Sequence, residues 1–167
     1  MNLETGLKTA MTMELKIRDI YAQAFEKCLD EAGRRFFAMM RDDEQYHHDY
    51  LGKRLKEWEQ SGDIQYQDIK MNVPTGQQIK ACIQDVQKAM AVADRGVIQQ
   101  MLSNALKGEV LTSEFYEKMV TDSDGLVRTM FARFLEIENG HIAAVQAELD
   151  YVMNTGYWFD FKEFDME

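Results

Sequence analysis

Apolar residues recur every three or four positions through most of the chain, which is the spacing of one face of an α-helix. Four long segments carry such a stripe, across positions 7–28, 37–58, 98–119 and 127–152. Asp30 and Asp94 stand where the second and third segments need N-terminal caps. The pattern predicts an all-α protein in which four long amphipathic helices form a four-helix bundle.

The connections follow from the breaks in this pattern. Residues 61–76 contain Ser-Gly, Asn and the only proline of the chain, and they predict a long crossover along the bundle. Residues 75–91 carry apolar side chains on one side and predict an extra short helix. The polar run 121–125, Thr-Asp-Ser-Asp-Gly, predicts a tight turn before the fourth long helix.

The length of 167 residues favours a single domain spanning 1–167. The C-terminal residues, at about 155–167, form an aromatic and acidic tail that is too apolar to extend freely into water. We expect this tail to fold back on the bundle or to pack against a second subunit. With one proline and 10 glycines, a sandwich of many short strands is disfavoured.

The net charge of −10 disfavours nucleic acid and anionic membrane surfaces as partners. No apolar run approaches the roughly 20 residues that cross a bilayer, and the N-terminal residues lack a signal-peptide pattern. A cytoplasmic location is therefore expected. Cys28 and Cys82 form no Cys-x-x-Cys pair, so neither a zinc ribbon nor a rubredoxin-type iron site is predicted.

Six ionisable side chains interrupt the apolar stripes near the middle of the four helices. An isolated charge in an apolar core costs several kcal/mol unless it is paired or bound to metal. Six of them on four helices point to a shared cause. These residues are Glu14, Glu44, His47, Glu109, Glu138 and His141.

The same six residues form a repeat. Each half of the chain contains Glu-x6-Tyr followed by Glu-x-x-His, first as Glu14 with Tyr21 and then as Glu109 with Tyr116. The two copies are offset by 95 residues for Glu-x6-Tyr and by 94 for Glu-x-x-His, which indicates a duplicated helical hairpin.

Four carboxylates and two imidazoles are the donor set of a di-iron or di-manganese site in a bundle core. Residues three apart lie on one helix face, so each Glu-x-x-His can reach one metal or span two. The lone glutamate of each preceding helix would supply a bridging or terminal carboxylate. Two divalent ions would neutralise the four carboxylates. The hydroxyls of Tyr21 and Tyr116 are predicted to hydrogen-bond ligand carboxylates, and each histidine needs an acceptor for its second ring N–H.

This doubled motif resembles the rubrerythrin family of the ferritin-like di-iron carboxylate proteins, over roughly residues 5–153. The resemblance implies a ferritin-like bundle whose di-metal centre, held by the same six residues, is catalytic. It implies two iron ions per chain (or manganese or another divalent metal) and reduction of hydrogen peroxide or dioxygen in oxidative-stress defence. Since no rubredoxin domain is present, electrons would come from an external donor such as a rubredoxin-like protein, and a homodimer is expected.

Two departures from related families refine this expectation. Thr112 occupies the place of the extra glutamate of typical rubrerythrins, and Ile17 is its counterpart in the first half. Gln45 follows Glu44 where bacterioferritins carry a haem-ligating methionine, so no haem is expected. The competing hypotheses are a bacterioferritin-like protein that binds or stores iron without turnover, and a metal-free interaction bundle.

Overall fold

The computed structural model describes residues 2–70, 73, 95–156 and 158. Within this part of the chain, four long α-helices form a bundle, as the sequence predicts. They are α1 (Leu3–Lys27), α2 (Glu31–Ser61), α3 (Arg95–Asp122) and α4 (Gly125–Thr155). At 1.5 Å per residue these helices are roughly 40 Å long. The predicted extra helix at 75–91, together with Cys82, lies outside the described residues.

The helix ends are set by local chemistry. Asn2 caps α1 by accepting a hydrogen bond from the Thr5 amide at 2.8 Å, and Asp30 caps α2 by accepting from Ala32 and Gly33. Gly62 and Gly156 end α2 and α4 with φ angles of 68° and 79°, which glycine adopts without the cost of a Cβ clash.

The helices pair as two hairpins, α1 with α2 and α3 with α4, and α1 also packs against α3. The beginning of α3 lies beside the α1–α2 turn, because Val97 and Met101 line the same cavity as Cys28. The end of α2 lies at the opposite end of the bundle, where Trp58 and Ile64 pack into the same cluster as Leu3 and Leu7. A connection along the bundle is what the sequence predicts for residues 61–76, of which the structure describes 61–70 and 73.

The first part of the crossover is held against the bundle by partly buried hydrogen bonds. Arg54, which is fully buried in α2, donates to the carbonyl of Gln65 and pairs with Glu57 at 2.9 Å. Tyr50 donates to the carbonyl of Gln67 at 2.6 Å. These contacts pair polar groups that would be costly to bury alone.

Two apolar clusters fill the bundle, one toward each end. One surrounds Phe36, Phe37 and Leu102 at the α1–α2 turn, and the other surrounds Leu51 and Phe134 near the crossover's start. A layer of fully buried polar residues lies between them. In the part of the chain that the structure describes, no helix has the length and apolar character to span a membrane.

Candidate metal centre

All six sequence-predicted residues are fully buried and meet in the polar layer of the bundle. Four of them, Glu44, His47, Glu138 and His141, each offer one donor atom, and these atoms lie within 4.8 Å of one another. Glu14 approaches this group from α1, with Oε2 3.4 Å from His47 Nδ1. Glu109 approaches from α3, with Oε2 3.6 Å from His141 Nδ1. The structure therefore brings the complete predicted set together.

Glu44 occupies the middle of the site. Its Oε2 lies 3.2 Å from His47 Nδ1, and its Oε1 lies 2.8 Å from His141 Nδ1, the latter without hydrogen-bond geometry. The two imidazole rings stack with centroids 5.4 Å apart. One carboxylate thus faces both histidines.

Many polar atoms at the centre of this site lack a hydrogen-bond partner among the described residues. The unpaired atoms include one carboxylate oxygen each on Glu14, Glu44 and Glu109, both oxygens of Glu138, and His141 Nδ1. Buried polar atoms without partners are rare in folded proteins because each costs about 1–3 kcal/mol. Oxygen and imidazole donors turned toward one another suit divalent iron or manganese. The residues present therefore fit a bound metal.

The two tyrosines cross between the halves of the repeat. Tyr21 of the first half donates to Glu109 of the second, and Tyr116 of the second half donates to Glu14 of the first. The predicted contact with a ligand carboxylate is present in both cases. The partner, however, lies in the opposite hairpin, which sequence spacing does not show. Burial, followed by the nearby glutamate charges, raises the pKa of both hydroxyls well above the usual value, so they remain donors.

Asp43 is the site residue that the sequence analysis missed. Its side chain is almost fully buried, and its Oδ2 accepts from His141 Nε2 at 3.0 Å and lies 3.8 Å from His47 Nε2. One carboxylate therefore faces the outer nitrogens of both rings, so that their Nδ1 atoms point into the site. The sequence feature that could have identified Asp43 is its position four residues before His47, because this spacing places both side chains on one helix face. Its counterpart in the repeat is Ile137, so the duplication conceals its role.

When no metal is bound, two of the buried glutamates have raised pKa values and hold protons more strongly than usual. Burial raises the pKa of Glu44 to about 7, although the charge of His141 opposes the shift. Burial and then the charges of Glu14 and Glu44 raise the pKa of Glu138 well above its usual value.

The pKa values of the two histidines and of Glu14 shift in the direction opposite to the one that burial alone would give. Burial lowers the pKa of His47, but hydrogen bonds to Glu14 and Glu44 outweigh it and raise the pKa to about 10. Burial also lowers the pKa of His141, yet the charges of Glu44 and Glu109 raise it well above the usual value. Burial raises the pKa of Glu14, but the bonds from His47 and Glu44 prevail and lower it. The metal-free core therefore stores protons that ions would displace.

Thr112 in α3 and Ile17 in α1 belong to the buried core. The Thr112 hydroxyl donates to the carbonyl of Gly108 at 3.2 Å. The hydroxyl is thus bonded to its own helix.

The aromatic tail is described only at Trp158. Its indole is 2 % exposed and packs against Phe36 and Phe37 of α2. At this position the tail folds back on the bundle, which is one of the two arrangements that the sequence analysis expects for it. Residues 157 and 159–167 lie outside the described residues.

Comparison with solved structures shows one clear likeness. The chain is similar to a hypothetical protein from Pyrococcus furiosus, with 21 % identity, a TM-score of 0.67, and coverage of 95 % of this chain and 94 % of that chain. At this level of identity the likeness shows the fold alone. No protein-family model matches the chain, and no curated protein matches it. These findings establish an all-α four-helix protein with a buried Glu/His cluster that could hold metal.

Proposed function

We propose that this chain is a ferritin-like, rubrerythrin-like oxidoreductase that reduces hydrogen peroxide or dioxygen at a di-metal centre. The observation that carries the proposal is the convergence of six buried donors whose innermost atoms lack partners. Two iron ions per chain, or manganese, would bind to Glu14, Glu44, His47, Glu109, Glu138 and His141. When bound, the ions supply two reducing electrons and open coordination positions for the oxidant.

The protein's own side chains set the conditions for this chemistry. Glu44 lies between the two histidines, and Asp43 fixes the orientation of His141. Tyr21 and Tyr116 hold one oxygen each of Glu109 and Glu14, which leaves the other oxygen free to face an ion. The apolar clusters on both sides exclude bulk water from the layer. A water-poor site strengthens electrostatic interactions and limits side reactions.

Three parts of the proposal concern the protein's surroundings. The chain would work in the cytoplasm, it would act as a homodimer, and it would receive electrons from an external donor such as a rubredoxin-like protein. A large shell-like assembly that accumulates iron would instead favour the storage hypothesis. Measurement of the mass in solution with and without iron separates these two functions.

The direct test is anaerobic loading with Fe(II), followed by hydrogen peroxide. We expect two Fe(II) per chain to bind and to be oxidised together, with an oxo-bridged absorption band and consumption of one peroxide. The matched pair of variants is Glu138→Gln, which removes a predicted ligand, and Glu136→Gln, which alters an exposed glutamate on the same helix. Two-iron oxidation should be lost in the first variant and retained in the second. Equal behaviour of the two variants, or failure of the native protein to bind iron, would refute the proposal.

A further inference from the structure

The two histidines of the candidate metal centre share one carboxylate, and they share it unequally. Asp43 Oδ2 accepts a hydrogen bond from His141 Nε2 at 3.0 Å, across the bundle from α2 to α4. The same oxygen lies 3.8 Å from His47 Nε2, which is too far for a hydrogen bond. Among the described residues, His47 Nε2 has no hydrogen-bond partner. One ring is therefore held at its outer nitrogen, and the other is not.

The repeat explains why the second acceptor is missing. Asp43 lies four residues before His47 and binds the histidine of the other hairpin. With the offset of 94, its counterpart is Ile137, which is fully buried in the same apolar cluster as Phe134. The Phe134 ring in turn meets the His47 ring edge-on, with centroids 5.5 Å apart. By the symmetry of the repeat, the side chain at position 137 stands where His47 would find its acceptor, and isoleucine has no polar atom to offer.

An acceptor at the outer nitrogen improves a histidine ligand in three ways. It keeps the proton on Nε2 so that Nδ1 retains its lone pair, it fixes the rotation of the ring, and it makes Nδ1 a stronger donor. Loss of such an acceptor weakens metal binding about 10–100-fold. His141 has this support from Asp43, and His47 lacks it.

The carboxylates around the two rings give no advantage to His141. Glu44 faces both Nδ1 atoms, at 2.8 Å from His141 and at 3.2 Å from His47. Each ring also has the glutamate of the preceding helix near its Nδ1 atom, at 3.6 Å and 3.4 Å respectively. Glu138 adds a further oxygen 3.9 Å from His47 Nδ1. The number of oxygen donors would therefore favour the metal position at His47, whereas the held ring favours the position at His141.

We propose that the two metal positions fill in sequence, with the position at His141 first and the position at His47 only at a higher concentration of metal. Asp43 is the positioning residue that sets this order. The inference rests on the proposed function, since it requires a pair of divalent ions in the site. Between the two dissociation constants a chain holds one Fe(II), which supplies only one of the two electrons that peroxide needs. The weaker position at His47 thus makes the two-electron reaction depend on the supply of Fe(II).

The test titrates the metal-free full chain with Mn(II) alone, and electron paramagnetic resonance measures the Mn(II) that remains free. Ile137→Asp supplies the missing acceptor for His47. Its matched control is Ile137→Leu, which has a similar branched shape without an oxygen. Asp43→Asn removes the carboxylate that holds His141, and Asp42→Asn is the control for this change at the neighbouring exposed aspartate.

In the native protein and in both controls, we expect two Mn(II) per chain, with dissociation constants at least about 10-fold apart. In Ile137→Asp the weaker constant should tighten toward the other, while the tighter constant stays unchanged. In Asp43→Asn the tighter constant should instead weaken toward the other. A merely structural role of either residue would shift both constants together. If Ile137→Asp loses its helical circular dichroism, Asp43→Asn decides the question by itself.

Two further variants identify the positions. His47→Ala should retain the tighter class of Mn(II) binding, because the ring held by Asp43 is still present. His141→Ala should retain only the weaker class. If the number of carboxylates set the order instead, the two variants would behave in the opposite way.

Three results would overturn the order of filling. They are equal dissociation constants in the native protein, retention of the tighter class in His141→Ala but not in His47→Ala, and an unchanged ratio of the two constants in Asp43→Asn. Each of these leaves the proposed function standing. A native protein that binds fewer than two divalent ions would refute the proposed function, and this inference with it.

Discussion

Glu138 shows at a single residue how the chemistry of the site opposes the stability of the fold. Both of its oxygens are buried without hydrogen-bond partners in the described part of the chain, and burial together with the charges of Glu14 and Glu44 raises its pKa. Such a group destabilises the metal-free bundle whether it is charged or protonated. It is compatible with a stable core only if something else neutralises the layer.

The first prediction is that Glu138→Gln stabilises the metal-free protein while it weakens metal binding. Glu138 must either stay charged beside Glu14 and Glu44 or take up a proton, whereas the neutral amide does neither, so we expect the free energy of unfolding to rise by about 1 kcal/mol. Urea denaturation in the presence of a chelator measures this change. The control, Glu136→Gln, should stay within about 0.5 kcal/mol of the native protein. A destabilised, metal-free Glu138→Gln protein would contradict the argument.

The second prediction concerns Asp43, which accepts from His141 Nε2. Asp43→Asn should reduce the affinity for Mn(II) or Fe(II) about 10–100-fold, because the imidazole loses its orienting carboxylate. Competition with a chelating dye measures the affinity. Asp42→Asn changes the neighbouring exposed aspartate, which pairs with Arg41, and should leave the affinity unchanged. Equal affinities in the two variants would show that Asp43 does not orient the ring.

At the scale of elements, the hydrophobic pattern predicted the four helices because each buries one continuous stripe. The stripe also located the six candidate ligands, since a charged side chain rarely lies on a buried face unless it is paired or bound to metal. It did not locate Asp43, because the stripe passes through Glu44 and His47, and Asp43 at its edge is marked only by its position four residues before His47. Arg54 escaped notice for a similar reason. Its guanidinium is buried by the crossover rather than by a helix, and that contact joins distant parts of the sequence.

The third prediction concerns how α2 accommodates the tail. Gly33→Ala should destabilise the protein by about 1–3 kcal/mol, since the added Cβ displaces the indole of Trp158 or the thiol of Cys28. Thermal unfolding followed by tryptophan fluorescence would show both the lower stability and a more exposed indole. Gly52→Ala is the control on the same helix. Its Cβ would meet only the flexible tip of Met11, so alanine's higher helix propensity should leave stability equal or greater.

At the scale of the whole molecule, the stability of the metal-free bundle depends on the protons held in its core. The folded state raises the pKa of Glu44 from 4.5 to about 7 and that of His47 from 6.5 to about 10. A group whose pKa is higher in the folded state stabilises it fully below the unfolded value and loses that contribution as pH rises through the folded value. The metal-free protein should therefore become less stable as pH rises from 4.5 to about 7, where Glu44 titrates, and from 6.5 to about 10, where His47 titrates.

The fourth prediction follows, because metal ions displace these protons. Bound ions stabilise only the folded state, by about 2.7 kcal/mol at 100 times the dissociation constant, and their affinity rises as the protons leave. The difference in melting temperature between the Mn(II)-loaded and metal-free protein should widen from pH 4.5 to about 7, the interval in which Glu44 titrates. Melting curves across this range test it. A constant difference would mean that Mn(II) binds elsewhere.

The crossed tyrosines have a consequence for how the molecule assembles. Each hairpin contains three of the six donors, but Tyr21 and Tyr116 secure carboxylates of the opposite hairpin. A hairpin folded by itself would leave its outer glutamate unsecured and would offer only half of the donors. If the site binds metal as we propose, metal capture requires that the two hairpins have docked, and a chain whose halves have failed to join would bind none.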